Sequence, residues 1–120
     1  MVVRVGLVGC GTIGSQLARA LQRDYRHAAR LMALHDSDRR RAETLRRLLP
    51  TRPPIVSSLA DLIRRSDLIL EAASPRIPGR RSEIEEAIDL LTREWEERGG
   101  GVRIVRVAGG VEQYQQVKVE

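Results

Sequence analysis

The stretch "VGLVGCGTIG", residues 5–14, carries glycines at positions 9, 11 and 14 directly behind an apolar run. Asp36 stands 22 positions after Gly14, at the end of a second apolar run, "LMALHD". Each glycine has a distinct use. Gly9 permits a tight turn out of a strand, Gly11 takes away a side chain where a large ligand would approach, and Gly14 lets the next helix lie close on the sheet. The N–H groups that open that helix, at Thr12 and Ile13 in particular, have no partner in the helix itself. With the helix dipole they favour an anion. A carboxylate ~20 residues further on accepts hydrogen bonds from the adenosine ribose of a dinucleotide. The loop alone would equally suit a plain tight turn between strand and helix. The preceding strand, the helix that follows and the placement of Asp36 favour a site for a pyrophosphate and its ribose.

Other reactive residue types are few. Cys10 sits at a helix start, where a thiolate would be stabilised, but a small residue filling the turn accounts for it better. His35 is expected at the surface of a strand end. Arg39-Arg40-Arg41 either grips the 2′-phosphate of NADP or forms the solvated face of a helix start, and the residues alone leave both open. Glu71 has no second carboxylate beside it for acid–base work. No set of residues has metal-ligand spacing or a nucleophile–base arrangement, so neither a metal nor a catalytic residue is assigned.

Elements of alternating type must position these residues. Val2 to Val8 reads as a buried strand, and Ile13, Leu17, Ala20 and Leu21 recur at helical spacing. Leu31 to Leu34 form a second strand. Ser37 or Asp38 caps a helix whose Ala42, Leu45, Leu48 and Leu49 share one face, and Pro50 stops it. Ile55 and Val56 are extended. Ser58 with Asp61 resembles a capping box for a short helix through Leu59, Leu62 and Ile63. Residues 67–74 form the next strand and 75–81 a loop. A helix follows through Ile84, Ala87, Ile88, Leu91 and Trp95, with Trp95 anchoring it on the sheet. Residues 102–107 alternate like a strand. The expected fold is α/β, a doubly wound, mostly parallel sheet of the Rossmann type. Its strands, starting near residues 55, 31, 2, 67 and 102, lie side by side in that order, with an antiparallel edge strand at the C-terminus. Residues 1–110 are expected to form the dinucleotide-binding domain and 111–120 the edge strand or tail.

Composition excludes other classes. No apolar stretch approaches the ~18 residues of a membrane span, and the start of the chain lacks the build of a signal peptide. A single cysteine fits a reducing, cytoplasmic setting. The net charge of +5 is carried almost wholly by arginine, Lys118 being the one lysine. Those arginines are spread along every helical segment, and Tyr25, Trp95 and Tyr114 are too few to stack bases, so neither nucleic acid nor membrane is an expected partner.

"VGLVGCGTIGSQLARAL", "LMALHDSDRRRAETL" and "SSLADLIRRSDLILEAASP" resemble the cofactor domain of L-aspartate dehydrogenases, NAD(P)-dependent enzymes related to homoserine dehydrogenases and dihydrodipicolinate reductases. The resemblance covers residues 1 to about 75. It implies that Gly9, Thr12, Ile13 and Gly14 hold the pyrophosphate, with Gly11 open to it. Asp36 would meet the ribose, and Ala72, Ala73 and Ser74 would line the nicotinamide side. NAD is the implied cofactor, with NADP tolerated. The family's substrate domain and its catalytic histidine have no counterpart here, since His27 and His35 both fall in the cofactor half. The resulting expectation is a cofactor half without turnover of its own. Its rival is a non-enzymatic NAD(H)-binding regulatory or assembly module. The open C-terminal sheet edge is expected to pair two copies into a homodimer.

Overall fold

The computed structural model describes residues 2–72, 102–106 and 117–119. The apolar run at the start becomes β1 (Val3–Val8), exposed at its first two residues and buried over its last four. It runs into α1 (Thr12–Asp24) across a three-residue loop. A turn leads to β2 (Ala29–His35), and α2 (Arg39–Leu48) returns beside α1 in chain order. Asp38 caps α2 by accepting from the Arg40 N–H at 3.0 Å. Ser58 caps α3 (Leu59–Arg64), its Oγ accepting from the Asp61 N–H at 3.3 Å. β3 (Leu68–Glu71), β4 (Val102–Arg106) and β5 (Val117–Val119) complete the described elements.

The sheet order is β2-β1-β3-β4-β5. β1 is parallel to both β2 and β3, β3 is parallel to β4, and β5 runs antiparallel to β4. Beyond β2, Ile55 reaches the sheet only as a single parallel bridge to Leu34. This is the order expected from the sequence, a Rossmann-type α/β sheet with an antiparallel edge.

Register is what assembles the site. Val8 pairs with His35 on one side and with Glu71 on the other, and Glu71 pairs with Arg106. The parallel strands therefore end in one row. The segments that follow β1, β2 and β3 emerge side by side at the carboxyl edge, where the connections diverge to opposite sides of β1.

Val5 and Leu7 of β1 pack with Leu31, Leu34, Ala18, Ala42, Leu45 and Leu49 in one cluster beneath α1 and α2. Gly6, alternating with them, faces Leu62, Ser66 and Ile69 on the other side. Gln22 at the end of α1 hydrogen-bonds Thr51 just beyond α2, tying the two helices' carboxyl ends. At the opposite edge of the sheet from the glycine loop, Arg4 donates through its N–H, Nε and Nη2 to the Asp67 carboxylate. These bonds hold Asp67 below the usual carboxylate range.

Three sequence expectations change. His35 is not at the surface: it is 8% exposed, and its Nδ1 lies 2.8 Å from the Val56 carbonyl, which reaches it from the neighbouring extended segment. Leu48 does not join the core face of α2 but is 58% exposed at the helix end. In α1 the fully buried positions are Gly14 and Ala18, with Leu17 and Leu21 half-buried beside them. Close approach to the sheet selects the smallest residues for the line of contact. The expected helix through Ile84 and Trp95, and Ala73 and Ser74, lie outside the described residues. Among the described residues no helix is long and apolar enough to cross a membrane.

Candidate functional site

Gly9 leaves β1 with φ of 92°, in the left-handed region that side chains disfavour, and its N–H donates to the His35 carbonyl at 2.8 Å. That bond carries the chain across towards β2 before α1 begins. Gly14, in the first turn of α1, lies directly over Gly9: a Cβ there would overlap the Gly9 carbonyl oxygen and stand 2.9 Å from its carbon. The side chain of Ala72, just past β3, closes the same contact at 3.7 Å. Gly9 is therefore demanded by its backbone conformation and Gly14 by packing.

Gly11 is different. Its φ of −77° suits any residue, and a Cβ built on it meets nothing within 4 Å. Neither backbone nor neighbours among the described residues require glycine at this position. The helical ladder starts only with the Ser15 N–H to the Gly11 carbonyl, at 2.8 Å, and no side chain caps the helix. The N–H groups of Thr12, Ile13 and Gly14 thus precede the ladder beside a patch of bare backbone. The arrangement is a cradle of donors with room for an anion.

Asp36 borders this cradle. Its Oδ2 accepts from the Cys10 N–H and its Oδ1 from the Asp38 N–H, both at 2.8 Å. The carboxylate thereby links the glycine loop to the start of α2. Cys10 is buried, with Sγ 3.7 Å from the His35 carbonyl oxygen. Burial, reinforced by the charge of Asp36, pushes its thiol up to about 12, so it keeps its proton at neutral pH and fills the turn. Ser15 Oγ donates to the Cys10 carbonyl at 3.3 Å. Next to these residues a groove of about 210 Å³ opens, lined by Cys10, Ser15, Arg40, Arg41, Thr44, Leu45 and Leu48.

The structure brings Gly9, Gly11, Thr12, Ile13, Gly14, Asp36 and Ala72 to one edge of the sheet. Glu71 is half-buried at the end of β3. Sequence reasoning passed over Ser15 and Thr44, the hydroxyls of the groove. Ser15 directly follows the last loop glycine, which was a usable signal, whereas Thr44 becomes visible only once α2 lies beside the loop. Among the described residues, no three His, Cys, Asp or Glu groups could hold a metal ion together.

Comparison with known proteins adds to this geometry. A family model described as homoserine dehydrogenase, NAD binding domain, matches residues 9–88. The L-aspartate dehydrogenase of Methanosarcina acetivorans is 41% identical over 73 residues, which cover 61% of this chain and 27% of that protein. The L-aspartate dehydrogenase of Methanothermobacter thermautotrophicus is 35% identical over 107 residues, covering 89% of this chain and 37% of that enzyme. The chain thus spans about a quarter to a third of the length of these relatives. Among solved structures, myo-inositol dehydrogenase from Lactobacillus casei, in complex with NAD(H) and myo-inositol, superposes with a TM-score of 0.64 at 19% identity. That match covers 88% of this chain and 28% of the neighbour, and it supports the fold.

Proposed function

The chain belongs to the family of homoserine dehydrogenase NAD-binding domains, and from that premise we propose that it serves as the cofactor half of an aspartate dehydrogenase-like oxidoreductase. The observation that carries this reading is Gly11, a glycine with open space where a Cβ would be, beside a helix start whose N–H groups have no side-chain cap.

In this reading the N–H groups of Thr12, Ile13 and Gly14 donate to the pyrophosphate, and Gly9 and Gly11 let it approach the backbone. Asp36 accepts from the ribose hydroxyls with the lone pairs left over by Cys10 and Asp38. Ala72, followed by Ala73 and Ser74, borders the nicotinamide end. When bound, the nicotinamide supplies a hydride donor or acceptor. The chain's own residues contribute position and electrostatics. A proton donor or acceptor for an amino acid or imine would also be needed. Neither histidine is placed for it: His35 is buried against Val56, and His27 precedes β2 at the opposite edge of the sheet.

NAD is the preferred cofactor, because the Asp36 carboxylate accepts from a ribose diol and repels a 2′-phosphate. Replacing Asp36 by serine is expected to move the ratio of NADH to NADPH dissociation constants towards NADP by about 1–2 kcal/mol. Fluorescence titration of both proteins with both cofactors reads it directly. An unchanged ratio would place Asp36 away from the ribose.

Two copies are proposed to pair along the β5 edge, which among the described residues is hydrogen-bonded only to β4. Light scattering over a concentration series tests this, and the mass of one chain throughout would refute it. The protonated, buried thiol of Cys10 suits the reducing cytoplasm proposed for it.

A further inference from the structure

Cys10 stands between β1 and α1, and side chains hold both of its backbone polar groups. Its N–H donates to Asp36 Oδ2 at 2.8 Å. Its carbonyl accepts from Ser15 Oγ at 3.3 Å. The second bond is unusual for a helical serine, whose hydroxyl ordinarily turns back on the carbonyl three or four residues earlier. At Ser15 the carbonyl four residues back, that of Gly11, already takes the Ser15 N–H. The hydroxyl reaches one residue further, to a carbonyl outside α1.

This bond orients the peptide unit between Cys10 and Gly11. The unit is trans, so its carbonyl and its N–H lie on opposite sides. With the Cys10 carbonyl turned in towards Ser15, the Gly11 N–H is turned away from the first turns of α1. No acceptor among the described residues meets it, and a Cβ built on Gly11 finds open space. It forms a fourth free donor beside those of Thr12, Ile13 and Gly14. Among the described residues, Ser15 is the side chain that holds the carbonyl of that unit. Ser15 is half-buried and lines the groove next to the loop, so the bond lies at the rim of the site.

We infer that Ser15 is a positioning residue for anion binding: by holding the Cys10 carbonyl, it aims the Gly11 N–H at the phosphate oxygens of a bound dinucleotide. This rests on reading the glycine loop as a dinucleotide site. A donor aligned before the ligand arrives spares binding the ordering cost that a free peptide unit would carry. Ser15 acts through Cys10 and Gly11, since its own proton is already given to the loop.

The test compares the wild-type chain with Ser15→Ala and Ser15→Thr, titrated calorimetrically with NADH and with inorganic pyrophosphate. Ser15→Ala should weaken both ligands by a similar factor, about fivefold, the size of one neutral hydrogen bond. Its denaturation midpoint should match the wild type, because alanine's better helix propensity offsets the lost bond. Ser15→Thr keeps a hydroxyl and should bind both ligands within about twofold of the wild type. Amide NMR supplies the readout that a purely structural role would not move. Pyrophosphate should shift the Gly11 amide proton of the wild type downfield together with those of Thr12 and Ile13. In Ser15→Ala the Gly11 shift alone should shrink. Unchanged affinity in Ser15→Ala, a loss that threonine does not restore, or a Gly11 amide unmoved in the wild type would each overturn the role of Ser15. A wild type that binds neither NADH nor pyrophosphate would instead remove the dinucleotide reading beneath it.

Discussion

Replacing Gly14 with alanine is expected to destabilise the chain by about 3 kcal/mol and to abolish cofactor binding with it. The new methyl group would overlap the Gly9 carbonyl oxygen, which is backbone and cannot rotate aside like a flexible side chain. Gly9 is itself fixed by its bond to the His35 carbonyl and by its left-handed φ. Relief therefore requires α1 to lift from the sheet, loosening Ala18 and the cluster around Leu7 and Leu34. Denaturant unfolding of the two proteins reads the loss. A midpoint unchanged from wild type would show that the loop and helix are not packed as described.

Gly11→Val should do the reverse. The position has an ordinary φ and open space around its Cβ, so stability should stay within about 1 kcal/mol, allowing for valine's poor fit at a helix N-cap. Affinity for NADH should fall about a hundredfold or more, equivalent to roughly 2.7 kcal/mol, because the branched side chain takes the place of the pyrophosphate. Calorimetry with NADH, beside the same denaturant curve, separates the effects. Unchanged affinity would mean that Gly11 is not part of a ligand cradle. The two glycines differ in that one is required by the fold and the other by nothing among the described residues.

The sequence made the sheet legible because each signal was local. Apolar runs marked the strands, the loop glycines marked the first turn, and Ser37 or Asp38 and Ser58 announced two helix starts, of which the structure selects Asp38, bonded to Arg40, and confirms Ser58, bonded to Asp61. The pairing of Arg39 with Glu43 was legible in principle from their spacing of four. What the sequence hid depends on partners distant in the chain. His35 looks like a strand-end histidine until the carbonyl of Val56, 21 residues later, arrives beside its ring. The buried line of α1 runs through Gly14 and Ala18 instead of its leucines, which only the closeness of the sheet explains. The double use of Asp36 was equally hidden, because its bond to the Cys10 N–H spans 26 residues.

The most direct measurement is an amide NMR titration of the isotopically labelled chain with NADH, which locates the ligand residue by residue. The N–H resonances of Cys10, Gly11, Thr12, Ile13 and Gly14 should shift together, accompanied by those of Asp38 and Ala72. Resonances at the opposite edge of the sheet, such as Arg4, Tyr25 and Asp67, should stay in place. Shifts confined to that opposite edge, or a spectrum that does not respond to NADH at all, would contradict a cofactor site at the glycine loop.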